Sequence, residues 1–297
     1  MELHKITQNI TRITGKPQGK FPFSHSFLIE DDITALIDTG CGIKILQELK
    51  NLKPIDMVIN SHSHPDHTAG NWVFPDIPLV VPKEEINFNS NINLLSHRYA
   101  KECALTWREF VSGTMEFRDA HPSKSFEDGK IFDFGNTVLE AVHTPGHTIG
   151  HYCFFERDKK ILFSFDIDFS GFGPWYGHEE SDIDQFVASI NEVRMLKPET
   201  VVSSHKHTIT KGIDQKFQQF LRVFQIREQK ILKFLEKERT ITDIVDSALI
   251  YRDFSFHPEL LRYWEKMMIK KHLEKLVRTG LVKEINNTCG SKTFLKF

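Results

Sequence analysis

Cysteine is scarce: there are four in 297 residues, Cys41, Cys103, Cys153 and Cys289, and no two share a CxxC spacing. That excludes a disulfide framework and a cysteine-built zinc knuckle, and the four read as reduced, unpaired thiols. Apolar runs long enough to cross a bilayer are missing too, and the N-terminal MELHKITQNI lacks the basic-then-apolar layout of a secretory leader. A cytoplasmic protein with no membrane partner is therefore expected. Neither sign of charge dominates, since 38 Lys plus Arg stand against 40 Asp plus Glu for a net charge of −2. Apolar residues at 40% and charged residues at 26% exclude a disordered chain and suffice for a sizeable core. The length exceeds that of a typical domain, which predicts a large domain and a smaller one.

What the chain does have is one dense cluster of metal-binding side chains. VINSHSHPDHTAGN, residues 58–71, places His62, His64, Asp66 and His67 within six positions, directly after an apolar run. Imidazole and carboxylate are the donors that zinc, iron and manganese accept. Further strand-like runs also end in such residues: NTVLEAVHTPGH leads to His147, KKILFSFD to Asp166 and ETVVSSH to His205. In layered folds chemistry collects just outside strand ends, so four elements are expected to deliver ligands to one crevice. FLIEDDITALID and YCFFERDKKILFSFD each read as two strands around a charged turn, which adds antiparallel hairpins to the helical stretches and predicts an α+β core.

On extended backbone His62 and His64, two apart, face the same side, and His147 completes a three-histidine set. Asp66 and His67 follow Pro65, which suits the first turn of a helix and turns them toward a second ion, joined by His205, with Asp166 between the two. Two metals about 3.5–4 Å apart would share a hydroxide nucleophile at neutral pH. His143 and His151, four residues to either side of His147, read as strand or packing histidines, and His207 as a solvated loop residue. Tyr176, in GPWYG after Asp166, is a candidate donor to a developing oxyanion, and Asp66 a catalytic carboxylate as well as a ligand.

SHSHPDH resembles the HxHxDH motif of the metallo-β-lactamase superfamily, and HTPGHT, the Asp of LFSFD and the His of SSHKH follow in that family's order. The resemblance covers about the first 215 residues. It implies an αββα sandwich with two zinc ions, or iron or manganese, between the sheets. By position it assigns His62, His64 and His147 to the first metal, Asp66, His67 and His205 to the second, and Asp166 to the bridge. Asp38 of LIDTG resembles the usual strand end beside the site. One departure is Phe165, where Gly commonly precedes the bridging Asp; a narrower cleft is the expected consequence.

Two segments shape specificity. Residues from about 83 to 126 interrupt the core with a helical stretch too long for a simple connection, and are expected to cap the cleft. Beyond a catalytic domain over 1–214, residues 215–297 read as three amphipathic helices, capped at Thr242 and Gly280, and a terminal hairpin. That order resembles a winged helix, as found behind the metal domain in some hydrolases and endoribonucleases of the superfamily. Truncation after about Asp214 is expected to spare the metal site. From Lys216 onward 17 basic residues face 10 acidic ones. RNA is therefore a second partner class, with Lys266, Lys270, Lys271 and Lys275 as phosphate contacts, and a homodimer a third role for the tail. A small-molecule ester, thioester or lactone is the leading substrate. A single-strand endoribonuclease is the alternative, and a non-catalytic ligand sensor that binds nucleic acid a further one.

Overall fold

The computed structural model describes residues 1–286 and 292–297; Cys289 lies outside the described residues. The first sheet holds β1 (Leu3–Lys5), β2 (Ile10–Ile13), β3 (Ser26–Glu30), β4 (Thr34–Ile37), β5 (Met57–Ile59), β6 (Leu79–Pro82) and β7 (Lys124–Phe126) in sequential order. β1 to β4 pair antiparallel and β4 to β7 parallel. Helix α1 (Ile43–Leu52) crosses from β4 to β5, the short α2 (Pro65–Thr68) follows β5, and α3 (Ile92–Ala100) and α4 (Ala104–Thr114) lie between β6 and β7. The second sheet contains β8 (Ile131–Asp133), β9 (Val138–His143), β10 (Tyr152–Glu156), β11 (Ile161–Phe165) and β12 (Thr200–Ser203), in the order β12-β11-β10-β9-β8, with α5 (Ile183–Met195) carrying the chain from β11 to its parallel neighbour β12.

Alternation along the strands decides the layers. In β3, Phe27 and Ile29 join Phe154, Phe163 and Phe165 in a core between the two sheets. Leu28 turns the other way, against Leu46 and Leu49 of α1. In β10 and β11, Cys153, Phe155 and Leu162 face outward onto Phe186 and Ile190 of α5. Helix, sheet, sheet, helix is the resulting stack. Strands buried on both faces need apolar residues at consecutive positions, as in β6, β10 and β11, which are buried throughout.

The C-terminal part contributes α6 (Ile213–Phe234), β13 (Arg239–Thr240), α7 (Ile241–Asp246), α8 (Pro258–Arg278), β14 (Val282–Asn286) and β15 (Lys292–Lys296), with the three strands in the order β13-β15-β14. Helix α7 is capped by Thr240 rather than Thr242: Thr240 Oγ1 accepts from Asp243 N at 3.1 Å while Asp243 Oδ2 accepts from Thr240 N at 2.8 Å. That capping box satisfies two backbone donors at once, which a cap two residues later would leave exposed. Gly280, with φ +72°, ends α8 where a side chain would be strained.

This part does not stand apart from the sheets. Phe217, Phe220 and Phe224 of α6 and Met268 of α8 share one core with Ile167, Tyr176, Phe186 and Val201. Trp264 of α8 packs with Tyr99 and Trp107 of the α3–α4 segment and donates from Nε1 to the Tyr99 carbonyl at 2.9 Å. This core runs across the expected boundary at residue 214, so removing α6 would expose the apolar face of α5 and β12.

Phe165 also departs from expectation. It has φ +45°, the left-handed region that favours glycine, yet its ring is fully buried between the sheets, edge-on to Phe154 at 5.4 Å and Phe27 at 6.1 Å. The ring lies in the core and not among the residues that line the cleft, and its aromatic burial offsets the backbone strain.

Candidate metal centre

The candidate donors follow strand ends, two of them on the short helix α2 behind β5. After β5 the chain extends through His62 and His64, and Pro65 at the first position of α2 then turns Asp66 and His67 into the same crevice. His147 follows β9, Asp166 follows β11 and His205 follows β12. The chain behind Asp38 passes so close that a Cβ on Gly40 would lie 1.5 Å from the Asp66 carbonyl oxygen, so only glycine fits there.

The seven side chains converge in two groups, one of His62, His64, His147 and Asp166 and the other of Asp66, His67 and His205, with donor atoms within 4.8 Å of one another inside each group. Asp166 divides its oxygens between them. Oδ2 lies 3.1 Å from His147 Nε2, 3.7 Å from His62 Nε2 and 3.8 Å from His64 Nδ1. Oδ1 lies 2.9 Å from His67 Nε2 and 3.4 Å from His205 Nε2, and Asp66 Oδ2 is 3.5 Å from His205 Nε2.

Every imidazole is held by its outer nitrogen. His147 Nδ1 bonds the Trp175 carbonyl at 2.8 Å, and His205 Nδ1 bonds that of Gly19 at 2.6 Å. His67 Nδ1 bonds Asp38 Oδ2 at 2.7 Å. Ser61 Oγ donates to Asp38 Oδ2 at 2.8 Å and so accepts from His62 Nδ1 at 2.9 Å. His64 is held by Nε2, 2.8 Å from Nε2 of the buried His178, whose Nδ1 faces the Arg98 carbonyl at 3.4 Å. The network thus assigns a proton to each outer nitrogen and a lone pair to each inner one. Burial pushes His62 and His64 well below the usual histidine range and His178 to about 4, which keeps these rings neutral. Against burial, the Asp166 and Asp38 carboxylates hold His67 well above that range and Asp166 and Asp66 push His205 up to about 9, protons that a bound cation would displace.

A cation fits that arrangement. His62 Nε2, His67 Nε2 and Asp166 Oδ1 are buried without a hydrogen-bond partner, a costly state unless an ion completes it. Five imidazoles and two carboxylates suit a divalent metal.

Glu85 braces the ligand loops from below. Fully buried, it accepts from Ser63 N at 2.5 Å, between His62 and His64, from Gly150 N at 3.0 Å, beyond His147, and from Arg98 Nη2 at 2.8 Å. Arg98 in turn donates to Ser63 Oγ at 2.7 Å and pairs with Glu180. Against the penalty of burial, the Arg98 guanidinium and these donors hold the Glu85 carboxyl well below the usual range. A depressed folded-state pKa stabilises the fold above the unfolded value and is lost as pH falls through the folded one. The wild type is accordingly expected to lose stability progressively below about pH 4.5. Glu85→Gln should cost about 3 kcal/mol at pH 7 and flatten that acid slope, measured by denaturant unfolding across pH.

Above the centre opens a cleft of about 380 Å³, lined by Tyr99, Trp107 and Phe110 of the α3–α4 segment, by Trp175, and by Tyr251 and Trp264 of the C-terminal part. Residues of the 83–126 segment and of the tail thus line the same cleft. Tyr176 does not. Its ring is fully buried and stacks on Phe224 at 5.3 Å; its hydroxyl is 2.7 Å from His272 Nε2 and accepts from Arg227 Nη1 at 2.9 Å. The expected oxyanion donor thus faces the C-terminal helices, and its neighbour Trp175 takes the place at the cleft.

His151 lies behind the centre, with Nδ1 2.8 Å from Thr144 Oγ1, and His143 is bound to the Ile149 carbonyl at 2.8 Å. His207 is exposed. His178, Glu85 and Arg98 were not expected; each sits alone in the sequence, where no spacing marks it.

Among known proteins, this chain is 22% identical over 258 residues to an atrochrysone carboxyl ACP thioesterase of Cryptosporiopsis sp. (strain 8999), covering 80% of this chain and 66% of the relative. It is 25% identical over 162 residues to an acyl-coenzyme A thioesterase of Homo sapiens, covering 48% of this chain and 56% of the relative. The chain thus spans less than two thirds of the length of either thioesterase. The crystal structure of a metallo-beta-lactamase family protein from Thermus thermophilus superposes with a TM-score of 0.75 at 18% identity, covering 99% of this chain and 100% of that one. The same fold therefore extends through the C-terminal helices. The family model for the metallo-beta-lactamase superfamily matches residues 19–205, which begin at the Gly19 carbonyl that holds the last histidine and end on that histidine. With the seven donors inside that span, the chain belongs to the metallo-beta-lactamase superfamily.

Proposed function

We propose that this protein is a metal-dependent hydrolase of thioesters with bulky apolar acyl groups, working with two zinc ions. The observation that carries the reading is the division of Asp166 between two ligand sets at the floor of an aromatic cleft. His62, His64 and His147 would hold one ion, Asp66, His67 and His205 the other, and Asp166 both. Such a pair supplies a water nucleophile of lowered pKa and polarises the carbonyl under attack. The chain's own part is positioning. Tyr99, Trp107, Trp175 and Trp264 receive the acyl group and exclude water, which strengthens every charge interaction at the floor. Asp66 reaches both the second set and the cleft, and is assigned the transfer of the nucleophile's proton.

Iron or manganese would satisfy the same donors. The thioesterases among the relatives favour a thioester over a lactone or simple ester. RNA is the second reading, and the α8 lysines count against it. Lys266 lies 3.6 Å from Glu102, Lys270 3.8 Å from Glu274 and Lys275 2.6 Å from Glu228, while Lys271 donates to the Glu179 carbonyl. A face laced with acidic groups is a poor phosphate track. No helix among the described residues is long and apolar enough to cross a membrane.

Assays of the purified protein with decanoyl thioester, a lactone, a β-lactam and single-stranded RNA test the proposal. Thioester cleavage is expected to lead and to change little between about 50 and 200 mM salt. RNA cleavage lost at high salt and in the Lys270→Glu/Lys271→Glu variant would put the endoribonuclease reading first.

A further inference from the structure

The cleft has a cationic rim. Two ammonium groups line it, Lys20 and Lys206, and its carboxylates are Asp66, Asp166 and Asp168 at the floor. The lysines are 186 residues apart in sequence, yet each directly follows one end of the same hydrogen bond, the 2.6 Å contact of His205 Nδ1 with the Gly19 carbonyl. That bond ties the two segments together, and both lysines line the cleft beside Asp66 and His205 of the second ligand set. Both side chains are exposed, and neither has an ion-pair partner among the described residues, unlike the lysines of α8. Phe21 and Phe256, each about half exposed, flank them on the same rim.

We propose that Lys20 and Lys206 form an oxyanion-binding subsite, so that the substrate is an apolar thioester carrying a carboxylate or phosphate. The assignment rests on the thioester reading and narrows it. One residue beyond His205, a lysine stem places its charge within roughly 10 Å of the metal centre. The anion therefore belongs near the scissile carbonyl, which favours a carboxylate on the acyl group over the phosphate at the far end of a pantetheine arm. Two compact, flexible ammonium groups can close on such an oxyanion from opposite sides without fixed geometry.

The test compares three compounds: decanoyl N-acetylcysteamine, which is neutral; the N-acetylcysteamine monothioester of 3-hexylpentanedioic acid, whose acyl carboxylate lies close to the scissile carbonyl; and decanoyl phosphopantetheine, with a thiol-side phosphate. Each is assayed by thiol release, and its non-cleavable thioether analogue is titrated against tryptophan fluorescence, since Trp107, Trp175 and Trp264 line the cleft. The carboxylate analogue is expected to bind about tenfold more tightly than the neutral one at low salt, and the ratio to collapse to about one in Lys20→Gln/Lys206→Gln. A tenfold preference for the phosphate instead moves the anion to the thiol side and keeps the subsite. Equal binding of all three, no binding of any, or a preference that survives in the double variant overturns it. Lysine-dependent binding without cleavage refutes the thioester reading alone, and cleavage with equal binding refutes the subsite alone.

Discussion

Asp166→Asn is expected to lower thioester cleavage by at least about 10³-fold while leaving the fold in place. The substitution preserves the shape of the side chain and removes the one charge whose two oxygens face both ligand sets, at 3.1 Å from His147 and 2.9 Å from His67. If Asp166 anchors the two ions proposed above, loss of its charge removes several kcal/mol of transition-state stabilisation, and each 1.36 kcal/mol is tenfold in rate. Stability without metal should fall by about 1–3 kcal/mol at neutral pH, because the buried carboxylate faces His67, His147 and His205, while unfolding stays cooperative. Thiol release and denaturant unfolding on the same preparation check both halves. A variant with wild-type rate would remove Asp166 from the site.

Truncation ahead of α6 is expected to be the more destructive change. Phe217, Phe220 and Phe224 are buried in one core with Phe186, Tyr176 and Val201, and losing a buried Phe costs about 3–5 kcal/mol. Three such losses are comparable with the whole stability of about 5–15 kcal/mol of an ordinary domain. Arg227, which donates from Nη1 to the Pro174 carbonyl at 2.5 Å and from Nη2 to that of Phe172 at 2.6 Å, is removed as well. The Trp175 carbonyl that orients His147 sits in that same stretch. A chain ending at Lys211 should be insoluble or unfold without a cooperative transition, as size-exclusion chromatography and thermal unfolding would show. A monomeric truncated protein that binds metal would restore the separable domain.

What could and could not be read from the residues divides along physical lines. The donor cluster that the structure brings together was visible in the sequence because donor chemistry restricts residue types and strand periodicity restricts spacing, which is why His62, His64, Asp66 and His67 stand out as candidates. The hairpin of β3 and β4 and that of β10 and β11 were readable for the same local reason, alternation around a charged turn. Tyr176 was misplaced because one residue of offset on an irregular stretch reverses the facing of a side chain, and nothing local says whether Trp175 or Tyr176 meets the cleft. The tail was read as separate because a shift in charge marks a boundary in sequence, whereas the Phe ladder of α6 has no visible partner until α5 is placed beside it. His178, Glu85 and Arg98 act through contacts between distant segments, as in the 114-residue separation of His178 from His64.

Metal content measured beside thiol release, on chelated protein titrated with zinc, tests the two-ion site. The expected result is activity that requires about two ions per chain and is lost in His205→Ala, whose ring belongs only to the second set. Full activity at one ion per chain, retained in His205→Ala, would contradict it.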